Sequence, residues 1–108
     1  MAMGEELCTT GEPWLPPLFS SEEWREIIDA LSLSPRQAQI VGLLIQGRKD
    51  KEIGAALSIS KSTVRTHLIE TKSRMAAEDR MDLAYRVFWT FRQRVEPKRY
   101  PWLHRDGA

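Results

Sequence analysis

Apolar residues recur every three to four positions through most of this 108-residue chain, and the breaks in that rhythm predict five helices. Residues 1–19 show no such period, because Gly4, Gly11, Pro13, Pro16 and Pro17 interrupt it. A first helix is expected over about 21–31: Ser20 or Ser21 caps it, and Trp24, Ile27, Ile28 and Leu31 form one apolar face. Ser34-Pro35-Arg36-Gln37 opens a second helix. Serine is its cap, proline takes the first helical position, and Gln37 closes a capping box. Ala38, Val41, Leu44 and Ile45, widened by Ile40 and Leu43, form its buried stripe, and Gly47 suits the left-handed residue that ends it.

A short third helix is expected over about 51–57, with Asp50 as N-cap and Ile53 and Leu57 inward. Gly54 and Ala55 are small enough for another helix to cross closely. Ser60 then caps a fourth helix to Met75, with Val64, Leu68, Thr71 and Met75 on its inner face. Two short helices joined by about three residues, with small residues at the crossing, match a helix-turn-helix. Asp79, with Asp82 three residues on, caps a fifth helix through Leu83, Val87 and Phe91 to about Val95, where Pro97 is expected to stop it. No strand alternation or internal repeat intervenes, so the expected fold class is all-α.

Composition narrows the function classes. The net charge of +1 conceals a split: residues 1–32 carry seven acids against one base, and residues 33–108 carry fifteen bases against eight acids. A basic body behind an acidic lead suits a nucleic-acid binder, although small domains also divide this way by chance. A single cysteine, Cys8, excludes an internal disulfide, and the distant His67 and His104 make no metal pair. No cofactor or metal is implied. No apolar run approaches the roughly 20 residues that cross a bilayer, and the acidic N-terminus is unlike a signal peptide, so no membrane partner and a cytoplasmic location are expected. No Gly-rich phosphate loop or nucleophile–base pair points to an enzyme.

Leu33-Ser34-Pro35-Arg36, the Ile40, Val41, Leu44, Gly47 series, Lys51-Glu52-Ile53, Leu57, Ile59-Ser60, Thr63-Val64 and His67 resemble the LuxR-type (GerE-like) helix-turn-helix domain. The family's usual run is Leu-Thr-Pro-Arg-Glu, Gly, Asn-Lys-Glu-Ile-Ala, Leu, Ile-Ser, Thr-Val-Lys and His at these spacings, with Arg74-Met75 and Asp79-Arg80 also in place. The likeness covers residues 33–91. It implies a four-helix DNA-binding domain used in bacterial transcriptional control, here with an extra N-terminal helix. The expected organisation is an acidic extension over 1–32, the DNA-binding domain over 33–95 and a basic tail over 96–108. The chain has no room for an α/β phosphoacceptor module, so the expectation is a regulator without a receiver domain.

The resemblance places the fourth helix, 60–75, in the major groove of double-stranded DNA. With Val64, Leu68, Thr71 and Met75 inward, Ser62, Arg65, Thr66, Ile69 and Ser73 face out. Arg65 matches the basic residue that follows Thr-Val in the family and suits a guanine edge or a phosphate. On a helix without that match, an exposed arginine more often only solvates. Thr66 offers a hydrogen bond or a methyl to thymine. Lys61, Ser62 and Thr63 sit where free backbone N–H groups help hold phosphate, and Lys49, Lys51 and Lys72 are further phosphate contacts. His67 is expected to pack, with an optional phosphate contact.

Four residues depart from the family pattern. Ile69 stands where a polar or basic residue is common, and Glu70 beside it repels phosphate. Gly54 replaces alanine and Thr71 replaces isoleucine. The weakened groove face leaves an alternative open: an HTH-shaped module that binds protein in place of DNA. A sigma-factor promoter-binding segment shares the architecture, but the Thr63-Val64-Arg65-Thr66-His67 run favours the LuxR type.

The fifth helix is apolar on two sides. Leu83, Ala84, Val87, Phe88 and Phe91 serve the core, while Met81, Tyr85 and Trp89 form an adjoining stripe. That stripe suits a homodimer through the last helix. The competing expectation, favoured for part of the surface, is that the first helix covers it, helped by Trp14 and Leu18. Tyr100 and Trp102 are expected to pack in the tail, with Lys98-Arg99 near phosphate. The acidic residues between 5 and 29 are further expected to compete with DNA for the basic face.

Overall fold

Side-chain chemistry local to each helix start explains most of the architecture. The computed structural model describes residues 13–103, and expectations for Cys8, His104 and the acids before Pro13 lie outside them. Helix α1 (Ser21–Leu31) begins at Ser20, whose Oγ accepts the Glu23 N–H while Glu23 Oε1 accepts the Ser20 N–H. Helix α2 (Pro35–Ile45) repeats this box with Ser34 and Gln37, and Gly47 adopts φ +85° behind its last turn. Helices α3 (Asp50–Leu57), α4 (Lys61–Met75) and α5 (Arg80–Thr90) follow, α5 capped by the Asp79 carboxylate on the Asp82 N–H at 2.8 Å.

Helix α3 starts one residue earlier than expected. Asp50 is not its N-cap but its first helical residue; Lys49 holds the cap position and its N–H goes to Glu52 Oε1 at 2.8 Å. The Asp50 carboxylate is engaged elsewhere, as shown below. Gly54 is buried, and a Cβ there would lie 2.6 Å from the Ile59 carbonyl oxygen, so the small residue serves the turn between α3 and α4. Ala55, expected at the crossing, is exposed.

Pro97 does not stop the fifth helix. The chain passes from α5 through a π turn (Phe91–Val95), where the Glu96 N–H reaches back to the Phe91 carbonyl, and into helix α6 (Glu96–Arg99). Pro97 falls in the first turn of α6, directly behind the π turn, and the chain stays helical past it to Arg99. Val95, the last residue of that turn, is buried in the core. A 3₁₀ turn (Pro101–Leu103) ends the described chain.

Phe19, Trp24, Ile27, Ile40, Val41, Ile53, Val64, Leu68, Leu83, Val87 and Val95 belong to a single buried cluster. Its members come from α1 through the π turn, so the N-terminal helix is part of the core and not an appendage. The described fold is all-α. Helix α1 lies on the π turn and α5: Phe19 sits 5.7 Å from Phe88 and 5.0 Å from Phe91 between ring centroids. It does not cover the Met81, Tyr85 and Trp89 stripe, which stays exposed at 80%, 63% and 49%, and Leu18 is itself exposed. Trp14 does pack against the core, but over α2.

Candidate nucleic-acid interface

Helix α4 owes its direction to a firm start and an apolar inner face. Ser60 Oγ accepts the Thr63 N–H at 3.0 Å and lies 2.8 Å from Thr63 Oγ1. The expected inner face is correct: Val64, Leu68, Thr71 and Met75 are buried. Thr71, in the core where an aliphatic residue is usual, satisfies its hydroxyl by donating to the His67 carbonyl at 2.7 Å. At the far end Arg74 Nη1 donates to the Ser32 carbonyl at 3.0 Å, which fastens α4 to the end of α1.

With that face buried, Lys61, Ser62, Arg65, Thr66, Ile69, Glu70 and Ser73 are exposed together. Thr66 donates its hydroxyl to the Ser62 carbonyl at 3.2 Å, so its methyl and oxygen lone pairs are what it presents outward. The Arg65 side chain is 61% exposed. Ile69, one turn on, is 65% exposed, an aliphatic surface beside the arginine. Thr63, His67 and Lys72 are half-buried; His67 Nδ1 lies 3.8 Å from Glu70 Oε1.

An open groove of about 840 Å³ runs between the starts of α3, α4 and α5. Arg48, Lys49, Lys51, Lys61, Arg65 and Arg80 line it, with Asp50 the only acid among its lining residues. It thus brings together four expected contacts: Lys49, Lys51, Lys61 and Arg65. The helical period of α4 does not point to Arg48 or Arg80, because they come from the loop before α3 and the first turn of α5. A smaller hollow of about 240 Å³, lined by Asp50, Arg65, Leu68, Ile69, Lys72 and Arg80, places Lys72 beside the same arginines. Ser62 and Thr66 lie outside both hollows, on the exposed ridge of α4.

Asp50 ties the groove together. Arg65 Nε lies 3.4 Å from Asp50 Oδ2, and Arg80 pairs with Asp50 Oδ1. The Asp50 side chain is only 13% exposed, which strengthens these pairs relative to open solvent.

The pattern of the family described as "Bacterial regulatory proteins, luxR family" matches residues 31–87, more than half of the chain. The chain belongs to the luxR family. YhjB of Escherichia coli (strain K12), named as an HTH-type transcriptional regulator, is 35% identical over 83 residues, which are 77% of this chain and 42% of YhjB. The transcriptional regulatory protein LiaR of Bacillus subtilis (strain 168) is 38% identical over 53 residues, 49% of this chain and 25% of LiaR. The transcriptional regulatory protein MctR of Rhizobium johnstonii is 40% identical over 43 residues, 40% of this chain and 20% of MctR. The chain therefore spans less than half the length of these relatives. No solved structure matches it. The luxR match begins at the last residue of α1, so α1 adds to the core from outside the family pattern. No described helix is long and apolar enough to cross a membrane.

Proposed function

We propose that this chain is the DNA-reading part of a sequence-specific transcriptional regulator, with α4 in the major groove of double-stranded DNA. The carrying observation is the exposed Arg65 on the outer face of α4 at the rim of a groove lined by six cations. An α-helix fits the major groove, and an arginine fork pairs with a guanine edge. In this reading Arg65, Thr66, Ser62 and Ile69 meet bases. Lys61, Thr63, Lys51 and Lys72 hold phosphates, with Lys49, Arg48 and Arg80 beside them, and His67 packs within reach of the backbone.

The DNA-binding unit is residues 33–95, preceded by the acidic extension and followed by the basic tail. The exposed Met81, Tyr85 and Trp89 suit pairing of α5 with α5 of a second copy, which would set two α4 helices about one DNA turn (roughly 34 Å) apart. The regulator works in the bacterial cytoplasm, on the nucleoid. Autoinhibition by the acidic segment gains no support within the described residues: Glu23 and Glu26 bond the tail residues Tyr100 and Arg99, away from the cationic groove.

The test is a mobility-shift titration with a pool of random duplexes at several salt concentrations. Wild-type chain should bind at low salt, lose affinity steeply as salt rises, and lose selectivity in Arg65→Ala. No binding at low salt would reject this reading in favour of a protein-binding module that uses Ile69 and Glu70.

A further inference from the structure

We infer that Asp50 is a specificity-determining residue, one that aims the Arg65 guanidinium at a base while restraining unselective binding to phosphate. This rests on the proposed DNA-reading function.

Asp50 is the first residue of α3, yet it does not cap that helix; the Glu52 carboxylate takes the Lys49 N–H instead. Both Asp50 oxygens are thereby left for side chains of two other helices. Oδ2 faces Arg65 Nε of α4 at 3.4 Å, and Oδ1 pairs with Arg80 Nη2 of α5. One half-buried carboxylate thus sits between an arginine of α4 and an arginine of α5.

The point of attachment matters. Asp50 meets Arg65 through Nε, so Nη1 and Nη2 are not taken by this carboxylate, and the side chain is 61% exposed, which suits two-pronged pairing with guanine O6 and N7. A long side chain otherwise loses rotamer freedom when it binds, and a partner already holding its stem removes part of that loss. Arg80 pairs with the other oxygen, so a cation lies on either side of the carboxylate. Charge works in the same direction. Asp50 is the only acid among the groove's lining residues, against six cations. Its charge weakens attraction to any phosphate, which lowers unselective binding more than binding secured by base contacts.

The experiment selects bound sequences from a randomised duplex pool with the full chain as wild type, Asp50→Asn, Asp50→Glu, Arg65→Ala and the Asp50→Asn/Arg65→Ala double variant. Affinity for one unselected duplex is measured alongside, with circular dichroism as the check of folding. Wild type should prefer one base pair that Arg65→Ala no longer prefers. Asp50→Asn should weaken preference at that same base pair by about fivefold or more, leave the other positions in place, and bind the unselected duplex more tightly. The double variant should select as Arg65→Ala does, because Asp50 acts through Arg65. Asp50→Glu, which keeps the charge but shifts the carboxylate, should restore weak unselective binding without full preference, and it carries the test if Asp50→Asn fails to fold.

Unchanged or sharper preference in Asp50→Asn would overturn the inference, the sharper result meaning that Asp50 masks Arg65. An equal loss at every position would also overturn it, since Asp50 would then be scaffold alone. A wild-type chain that binds no duplex would reject the DNA-reading function itself, a different outcome from a wild type that selects DNA without regard to Asp50.

Discussion

The Tyr100 hydroxyl donates to Glu23 Oε2 at 2.8 Å, and the other oxygen of that carboxylate closes the capping box of α1 on the Ser20 N–H, also at 2.8 Å. One buried acid therefore joins the start of the first helix to the segment that follows α6. Arg99 reinforces the join through Glu26 at 2.7 Å. The bond to Glu23 is the largest cause that raises the Tyr100 phenol above its ordinary value near 10, with desolvation adding to it. A raised value in the folded chain means that the bond contributes stability fully below pH about 10 and loses it as pH rises through the folded value. Phenolate absorbance should lose, in Tyr100→Phe, a titration that lies above the ordinary phenol value. A Tyr100 phenol titrating at the ordinary value in wild type would contradict this.

Gly42 marks where the N-terminal segment lies on α2. A Cβ there would fall 1.8 Å from the Trp14 carbonyl oxygen, and Gln46 Nε2 bridges the Pro13 and Gly42 carbonyls at 2.8 and 3.0 Å. Alanine in a helix is ordinarily better than glycine by about 1 kcal/mol. Here the backbone of residue 14 must move, and overpacking of this kind costs about 1–3 kcal/mol. Gly42→Ala should thus lower the denaturant midpoint and open the chain before Ser20 to proteolysis. A higher midpoint with unchanged cleavage would count against the packing.

The helix starts were legible because their chemistry is local. Ser34 with Gln37 and Asp79 with Asp82 carry both partners of the cap within three residues. The ends at Leu31, Leu57 and Met75 also fell where the apolar period stopped, but the left-handed residue behind each end was legible only at Gly47. Ser32, Ser58 and Ala76 take left-handed φ of 56°, 59° and 57°, a conformation for which none of them is the usual residue. Asp50 looked like a cap because aspartate usually is one, but two arginines from distant helices hold its carboxylate. The outward set on α4 followed from its period alone. Arg48 and Arg80 join the site only through tertiary packing, and the exposed stripe on α5 depended on which side α1 chose.

Ala76 offers a direct check on those ends. A left-handed alanine costs roughly 1–2 kcal/mol, part of which glycine returns through the greater entropy of its unfolded chain. Ala76 is exposed and its N–H bonds the Lys72 and Ser73 carbonyls, so no packing is lost on substitution. Ala76→Gly should raise the melting temperature by a few degrees, about 0.5–1 kcal/mol. A fall would mean that the turn before Asp79 does not constrain this residue.

Ile69 lies one turn beyond Arg65 and is exposed, so it contributes little to folding but meets the DNA directly in the proposed mode. Ile69→Lys should change stability by no more than about 0.5 kcal/mol. It should tighten binding to unselected duplex and steepen the salt dependence by about one counterion. An unchanged slope would place Ile69 away from DNA.

Trp89 decides between a paired and a single copy. Met81, Tyr85 and Trp89 recur every four residues on α5, and Phe88 flanks them, half shielded by Phe19. Helix α1 occupies the opposite flank, so nothing among the described residues buries this stripe. An exposed Met-Tyr-Trp row is costly in water and suits a self-complementary contact, since a two-fold axis lets the same patch meet itself. Core substitutions on α5, such as at Val87, would unfold the chain and say nothing about pairing. Trp89→Glu leaves the core intact and puts a charge into the apolar stripe of both copies. Sedimentation equilibrium should find wild type dimerising and Trp89→Glu monomeric, with the monomer's melting temperature unchanged apart from the loss of concentration dependence. The same substitution should weaken binding to a two-half-site duplex far more than to a single half-site. A monomeric wild type at high micromolar concentration would remove α5 as the pairing surface.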